Sequence, residues 1–175
     1  LANKIRSKAI YFENGFAGRT HGTLAATTSN PEVQRNPFWN HCDQEHSIYL
    51  PFPTKQNASS LRNELDELNL YAVDRLLIEL PCQGEAGVIP ADEETLEYLY
   101  EITHDAGIFW IVDSIQCGMG RVGTLFGCDR YPWLAPDILT LGKALGGGFP
   151  MGATIFRADL DGRKNEESNT FGGNP

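Results

Sequence analysis

The succession of apolar run, helix and apolar run between Leu76 and Val112 constrains this chain more than any other stretch. Leu76–Leu80 is continuously apolar apart from Glu79 and is stopped by Pro81. Asp92 is placed to cap a helix, and Glu93 and Glu94 put negative charge where the helix dipole favours it. Leu96, Leu99, Ile102 and Ala106 recur at helical spacing as its buried stripe, and Gly107 ends it. Phe109–Val112 then resumes an apolar strand. Strand, helix, strand in this order predicts parallel strands joined by a right-handed crossover. Near-continuous apolar strands belong in a sheet covered on both faces. The expected fold class is therefore α/β, a three-layer, mostly parallel sheet with helices on both faces.

Other elements extend that unit. Ala9–Glu13 reads as a strand leading into the glycine-punctuated loop GFAGRTHG. Thr27–Lys55 carries Pro31, Pro37, Pro51 and Pro53 with little periodicity and reads as a loop or excursion. Ser59 or Ser60 can cap a helix whose Leu61, Leu65 and Leu68 share one face. Asp137–Leu141 and Gly152–Phe156 read as two further strands. No internal repeat or low-complexity tract interrupts the pattern.

The 175 residues amount to one domain, and 41% hydrophobic with 21% charged residues is a soluble globular composition. A net charge of -9 argues against nucleic acid as a partner, because phosphate binding needs a basic face. No apolar run approaches a membrane span, and the N-terminus has no signal-peptide pattern. Cys42, Cys82, Cys117 and Cys128 form no CxxC pair and read as reduced thiols of a cytoplasmic protein. Asn57-Ala58-Ser59 fits a glycosylation sequon, which without a secretory signal is a chance match. Beginning at Leu1 without Met and stopping at FGGNP, the sequence is expected to be a fragment of something larger.

Ligands of parallel α/β sheets bind at the carboxyl ends of the strands. Gln83 and Glu85 follow the Leu76–Leu80 strand, Asp113 and Gln116 follow Phe109–Val112, and Lys143 follows Asp137–Leu141. A lysine at the end of a buried strand must be paired or neutral, and a neutral lysine is a nucleophile toward aldehydes. A carboxylate at the strand mouth can pair with a protonated ring nitrogen, a bond worth roughly 1.5–3 kcal/mol. Lys143 and Asp113 are thus the two protein groups that pyridoxal phosphate chemistry needs. Taken singly, Asp113 reads first as a turn or capping carboxylate and Lys143 as a snorkelling surface lysine; their convergence is what points to chemistry.

Five segments carry a resemblance: GFAGRTHGTLAAT (15–27), LPCQGEAGVIPA (80–91), IVDSIQCGMGRVGTLF (111–126), DILTLGKALGGGFPMGA (137–153) and NTFGGNP (169–175). In this order they resemble the class-III, ω-amino acid type, pyridoxal-phosphate-dependent aminotransferases of fold type I, and they cover nearly the whole chain outside 28–55. The resemblance implies that residues 1–175 are the central part of the cofactor-binding large domain, with its N-terminal and C-terminal parts elsewhere, in a homodimer. It implies that Lys143 bonds covalently to the cofactor and shuttles the substrate proton, and that Asp113 partners the ring nitrogen. Gln116 would donate to the phenolic oxygen, Phe16 would stack on the ring, and Thr170 would reach a phosphate across the dimer interface. Glu85 would be the gating glutamate that lets one site take both an ω-amine and a 2-oxo acid. The implied reaction is transamination from a donor such as ornithine, acetylornithine or 4-aminobutyrate to an acceptor such as 2-oxoglutarate.

The sequence departs from the family pattern at Leu80 and Ser114, where glutamate is usual, and at Ala17, where a bulky residue is usual. Glu79 comes one residue early and on a strand would face the other side from Leu80. Racemase, decarboxylase or aminomutase chemistry uses the same Lys143 and Asp113. GMGRVG at 118–123 satisfies the dinucleotide fingerprint of a dehydrogenase, but it begins five residues after its strand and no helical period follows. GKALGGG lacks the Ser or Thr of a phosphate loop. His41, Cys42, Asp43, Glu45 and His46 crowd together without a zinc spacing, and the proline-rich loop around them favours a solvated polar segment. His104 reads as a surface residue of the acidic helix.

Overall fold

A computed structural model describes residues 7–34 and 45–162. Strand β1 (Lys8–Phe12) pairs with β2 (Ser47–Leu50) on one side and with β3 (Val73–Glu79) on the other, both in parallel. Strand β3 pairs in parallel with β6 (Phe109–Asp113), and β6 with β7 (Ile138–Leu141). The sheet closes with β8 (Ala153–Phe156), giving the order β2-β1-β3-β6-β7-β8. Between β3 and β6, the short strands β4 (Cys82–Gln83) and β5 (Ile89–Pro90) form a separate antiparallel pair.

The helices follow their sequence signals with small displacements. Helix α3 (Glu93–Asp105) begins where the Asp92 carboxylate accepts the Thr95 N–H at 3.1 Å and the Thr95 hydroxyl at 2.6 Å. Helix α2 (Ala58–Glu67) starts earlier than a serine cap would place it, because Asn57 folds back to bind Thr54 N and Phe52 O. Its Leu61 and Leu65 are buried, whereas Leu68 lies beyond the last turn and packs only at the core's margin. Helix α1 (Pro31–Gln34) is a single turn.

Two features lay outside the expectations. Strand β2 sits inside the region read as a loop; its four residues are mostly half-buried, too few and too marginal to print a period of two. Strand β8 runs antiparallel to β7, since the short connection from Leu141 to Ala153 holds no crossover helix.

Strand alternation divides the sheet into unequal faces. Ile10, Leu76, Ile78, Trp110, Val112 and Leu139 point to one side, where α2 and α3 bury them with Leu61, Leu65, Leu96 and Leu99. Trp110 is fully buried there, and its indole N–H donates to the Thr103 hydroxyl at 2.9 Å. On the other side, Ala9 and Tyr11 are covered by the 3-10 turn Leu24–Ala26. Leu77, Ile111 and Ile138 on that side stay only partly buried. No described helix is long and apolar enough to cross a membrane.

Candidate active site

Three parallel strands deliver polar residues to one end of the sheet. Strand β3 ends at Glu79, which is in register with Asp113 at the end of β6, and Asp113 is in register with Thr140 of β7. Equal register on neighbouring strands puts Glu79 and Asp113 on one face, opposite the α2–α3 core. Lys143 follows β7 by two residues, at the start of a 3-10 turn (Lys143–Gly146).

Asp113 is 8% exposed, and its Oδ1 accepts the Ile115 N–H at 2.8 Å. Burial pushes its carboxyl above the usual range, opposed by the Ile115 N–H and the Lys143 charge. Among the described residues no Lys, Arg or His forms an ion pair with it. A buried carboxylate without a bonded cation fits a protonated ring nitrogen, the one partner a pyridine cofactor would bring.

Lys143 is exposed rather than buried, contrary to the expectation for a residue closing an apolar strand. The chain leaves the sheet at Gly142, so the lysine side chain is carried off the strand's packed face. Its backbone takes φ of 42°, the left-handed region that costs a non-glycine residue on the order of 1–3 kcal/mol. Lys143, Gln116, Gly84, Cys82 and Cys117 together line a cavity of about 530 Å³.

Gln116 is exposed in the turn after β6, and its carboxamide lies directly over Gly84. A Cβ at Gly84 would collide with all three terminal atoms of that carboxamide, so only glycine leaves room for it. Phe16 is half-buried in the loop after β1, with its N–H bound to Glu79 Oε1 at 2.8 Å. Glu85 is exposed in the β4–β5 turn. Thr170 lies outside the described residues, as do His41, Cys42 and Asp43.

Sequence reasoning notes Glu79 as one residue early but does not assign it to the site. It does face away from Leu80, as alternation requires, but Leu80 is the side chain in the hydrophobic core and Glu79 is the one on the site face. Its two oxygens take the N–H groups of Phe16 (2.8 Å) and Gly84 (3.4 Å), fastening the loop after β1 to the loop after β3. Burial raises its carboxyl pKa against those two N–H groups, with the nearby Asp113 charge adding to the rise. The buried even positions Leu76, Ile78 and Leu80 were the signal that could have assigned Glu79 to the site. Ser114, at the other departure, is buried with a hydroxyl that has no hydrogen-bond partner, and Ala17 donates its N–H to Thr27 Oγ1 at 3.0 Å.

Two decoy motifs lose their context. In GMGRVG, Met119 N binds Leu125 O and Gly120 N binds Thr124 O, so the glycines shape a closed loop followed only by the 3-10 turn Gly127–Arg130, not by the α-helix a dinucleotide site needs. GKALGGG forms a 3-10 turn, not a phosphate-cradling loop opening an α-helix. Among the described residues no cluster of His, Cys, Asp and Glu could hold a metal. His104 is exposed and stacks on Tyr100 at 5.1 Å.

Comparison with known proteins bears on this geometry. The profile described as aminotransferase class-III matches residues 2–175. A [LysW]-aminoadipate semialdehyde/glutamate semialdehyde transaminase of Sulfurisphaera tokodaii is 40% identical over 99% of this chain and 42% of its own length. An acetylornithine aminotransferase of Clostridium acetobutylicum is 34% identical over 97% of this chain and 41% of its own. Among solved structures, the ornithine aminotransferase of Toxoplasma gondii superposes with a TM-score of 0.70 at 27% identity, covering 89% of this chain and 34% of that one. The chain therefore spans about two-fifths of the length of these curated relatives.

Proposed function

The chain belongs to the class-III aminotransferase family, and on that premise we propose that residues 1–175 form the central part of the cofactor-binding large domain of a pyridoxal-phosphate-dependent transaminase. The donor is an ω-amino compound of the ornithine, acetylornithine or 4-aminobutyrate kind, and the acceptor is a 2-oxo acid such as 2-oxoglutarate. The observation that carries this reading is the arrival of Asp113 and Lys143 at the carboxyl ends of the adjacent parallel strands β6 and β7.

Pyridoxal phosphate, when bound, supplies an aldehyde that captures amines and a ring that accepts electrons from the substrate. The protein's part is to hold and to move protons. Asp113 keeps a proton on the ring nitrogen, a role for which a buried carboxylate without a bonded cation is suited. Lys143, just after β7, would be the residue that holds the cofactor covalently, and its amine is the group that would carry the proton of the substrate's α-carbon. Gln116, whose carboxamide lies over Gly84, would donate to the phenolic oxygen. Phe16 packs on the ring from a loop that Glu79 fixes. Glu85, exposed in the β4–β5 turn, would pair with an arginine when one substrate is bound and release it for the other. Thr170, on the family resemblance, would reach a phosphate across a homodimer interface. The protein works in the cytoplasm, in keeping with free thiols at Cys82, Cys117 and Cys128.

The test is covalent trapping followed by a donor screen. Borohydride reduction of the loaded protein should fix the cofactor on the Lys143 peptide, and Lys143→Ala should abolish both the adduct and, by about 10²–10⁴-fold or more, the turnover. Stoichiometric glutamate formed from 2-oxoglutarate identifies transamination. No adduct at Lys143, or inversion of an amino acid without an acceptor, would overturn the proposal.

A further inference from the structure

We infer that Cys82 and Cys117 form a peroxide-sensitive dithiol in the wall of the cavity, a modification site distinct from the chemistry of Lys143 and Asp113. Cys82 opens β4, and Cys117 sits in the turn after β6 immediately beyond Gln116. The residues are 35 apart in sequence, yet their sulfurs are 3.5 Å apart, with Cys117 Sγ also 3.8 Å from the Cys82 carbonyl oxygen. Closing the remaining gap to a bonded distance of about 2.0 Å takes a shift of roughly 1.5 Å, within reach of side-chain rotation and a small loop movement. Both cysteines line the same cavity as Gly84, Gln116, Arg121 and Lys143, so a small oxidant entering that space meets them.

The two thiols differ in the way a sequential oxidation needs. Cys82 is half-buried and Cys117 is buried. Burial, with the hydrogen bond to Cys82, pushes the Cys117 thiol up to about 12. Cys82 therefore meets the oxidant first. Its thiolate attacks the O–O bond of a hydroperoxide, giving the sulfenic acid at Cys82 and releasing an alcohol, or water if the oxidant is hydrogen peroxide. The Cys117 sulfur then attacks Cys82 Sγ and displaces hydroxide, which takes the Cys117 proton and leaves as water. In sum, two thiols and one hydroperoxide give one disulfide, one alcohol and one water. A dithiol reductant reverses the change. Buried as it is, Cys117 serves only a partner already at contact distance, which favours this bond over a mixed adduct.

The disulfide would join the segment carrying Gln83 and Gly84 to the turn carrying Gln116. Those are the two segments whose contact places the Gln116 carboxamide over Gly84. The oxidised form would hold these two cavity-lining segments in one arrangement, and the reduced form would leave them adjustable.

The experiment treats the protein with a small excess of hydrogen peroxide, with and without cofactor, and maps peptides under non-reducing conditions. The expected result is an 82–117 linked peptide with its mass lowered by two hydrogens, present in both samples and lost on adding dithiothreitol. Cys82→Ser should abolish the link without forming sulfenic acid at Cys117. Cys117→Ser should leave Cys82 as a sulfenic acid that a dimedone probe captures. A link that joins two chains, a peroxide-treated protein in which both thiols remain free, or reaction at Cys117 in the Cys82→Ser protein would overturn the inference. Because the link is read without cofactor, its failure is separate from any failure of the proposed transamination.

Discussion

Substituting Gly84 by alanine separates what the site needs from what the fold needs. A Cβ at this position would collide with Oε1, Cδ and Nε2 of Gln116, but with no backbone atom among its nearest neighbours. Gly84 does not have a positive φ, so alanine meets no backbone penalty. Gln116 is an exposed side chain and can swing away. The fold should therefore tolerate the change within about 0.5 kcal/mol, or gain slightly from the lower entropy of the unfolded chain. On the proposed role of Gln116, the site should lose a hydrogen bond to the cofactor worth about 0.5–1.5 kcal/mol, which would weaken cofactor affinity about 2- to 13-fold. Gly127→Ala is the control, since its Cβ would overlap Leu80 O and C in the backbone behind the cavity. That clash has no flexible end to move, and overpacking of this kind costs about 1–3 kcal/mol of stability. Denaturant unfolding of the cofactor-free proteins gives the stability arm, and absorbance titration with pyridoxal phosphate gives the affinity arm. Gln116→Ala should reproduce the affinity loss of Gly84→Ala, and the double variant should lose no more than either single one. Additive losses, or a Gly84→Ala protein as unstable as Gly127→Ala, would refute the reasoning.

Two further outcomes follow from the paired carboxylates. Asp113 has a raised carboxyl pKa when folded, so its contribution to stability is fully present below the ordinary carboxylate pKa and is lost as pH rises through the raised value. The cofactor-free protein should therefore lose this contribution as pH rises above about 4, and Asp113→Asn, which keeps an acceptor for Ile115 N–H, should flatten that loss while abolishing turnover; urea unfolding across the pH range checks it. Glu79→Ala orphans the N–H groups of Phe16 and Gly84 and should cost about 1–3 kcal/mol, whereas Glu79→Gln, which still presents one acceptor oxygen, should recover part of that stability in the same assay.

How much of this was legible before any coordinates depends on the kind of signal. The βαβ unit was legible because Asp92, Leu96 and Leu99 obey helix rules that hold in isolation, and the structure keeps the Asp92 cap and both buried leucines. The placement of Asp113 and Lys143 at neighbouring strand ends was legible because strand ends in a parallel sheet converge, which follows from topology alone. Strand β2 was not legible, since an edge strand of four mostly half-buried residues has no strong period to read. Nor was the exposure of Lys143, which depends on where the chain turns after Gly142. Glu79 and the Cys82–Cys117 contact were hidden for the same reason: each depends on which segments neighbour one another, and no local spacing encodes a 3.5 Å approach across 35 residues.

The left-handed backbone of Lys143 has a consequence for anyone selecting variants of this protein by heat resistance. Glycine relaxes that conformation at no steric cost, and asparagine tolerates it better than lysine does. A screen that rewards only the folded state would thus drift away from lysine at the one position where the proposed chemistry cannot spare it. Enrichment of glycine at 143 among thermostable survivors would be a record of tension between fold and activity, concentrated in a single φ angle.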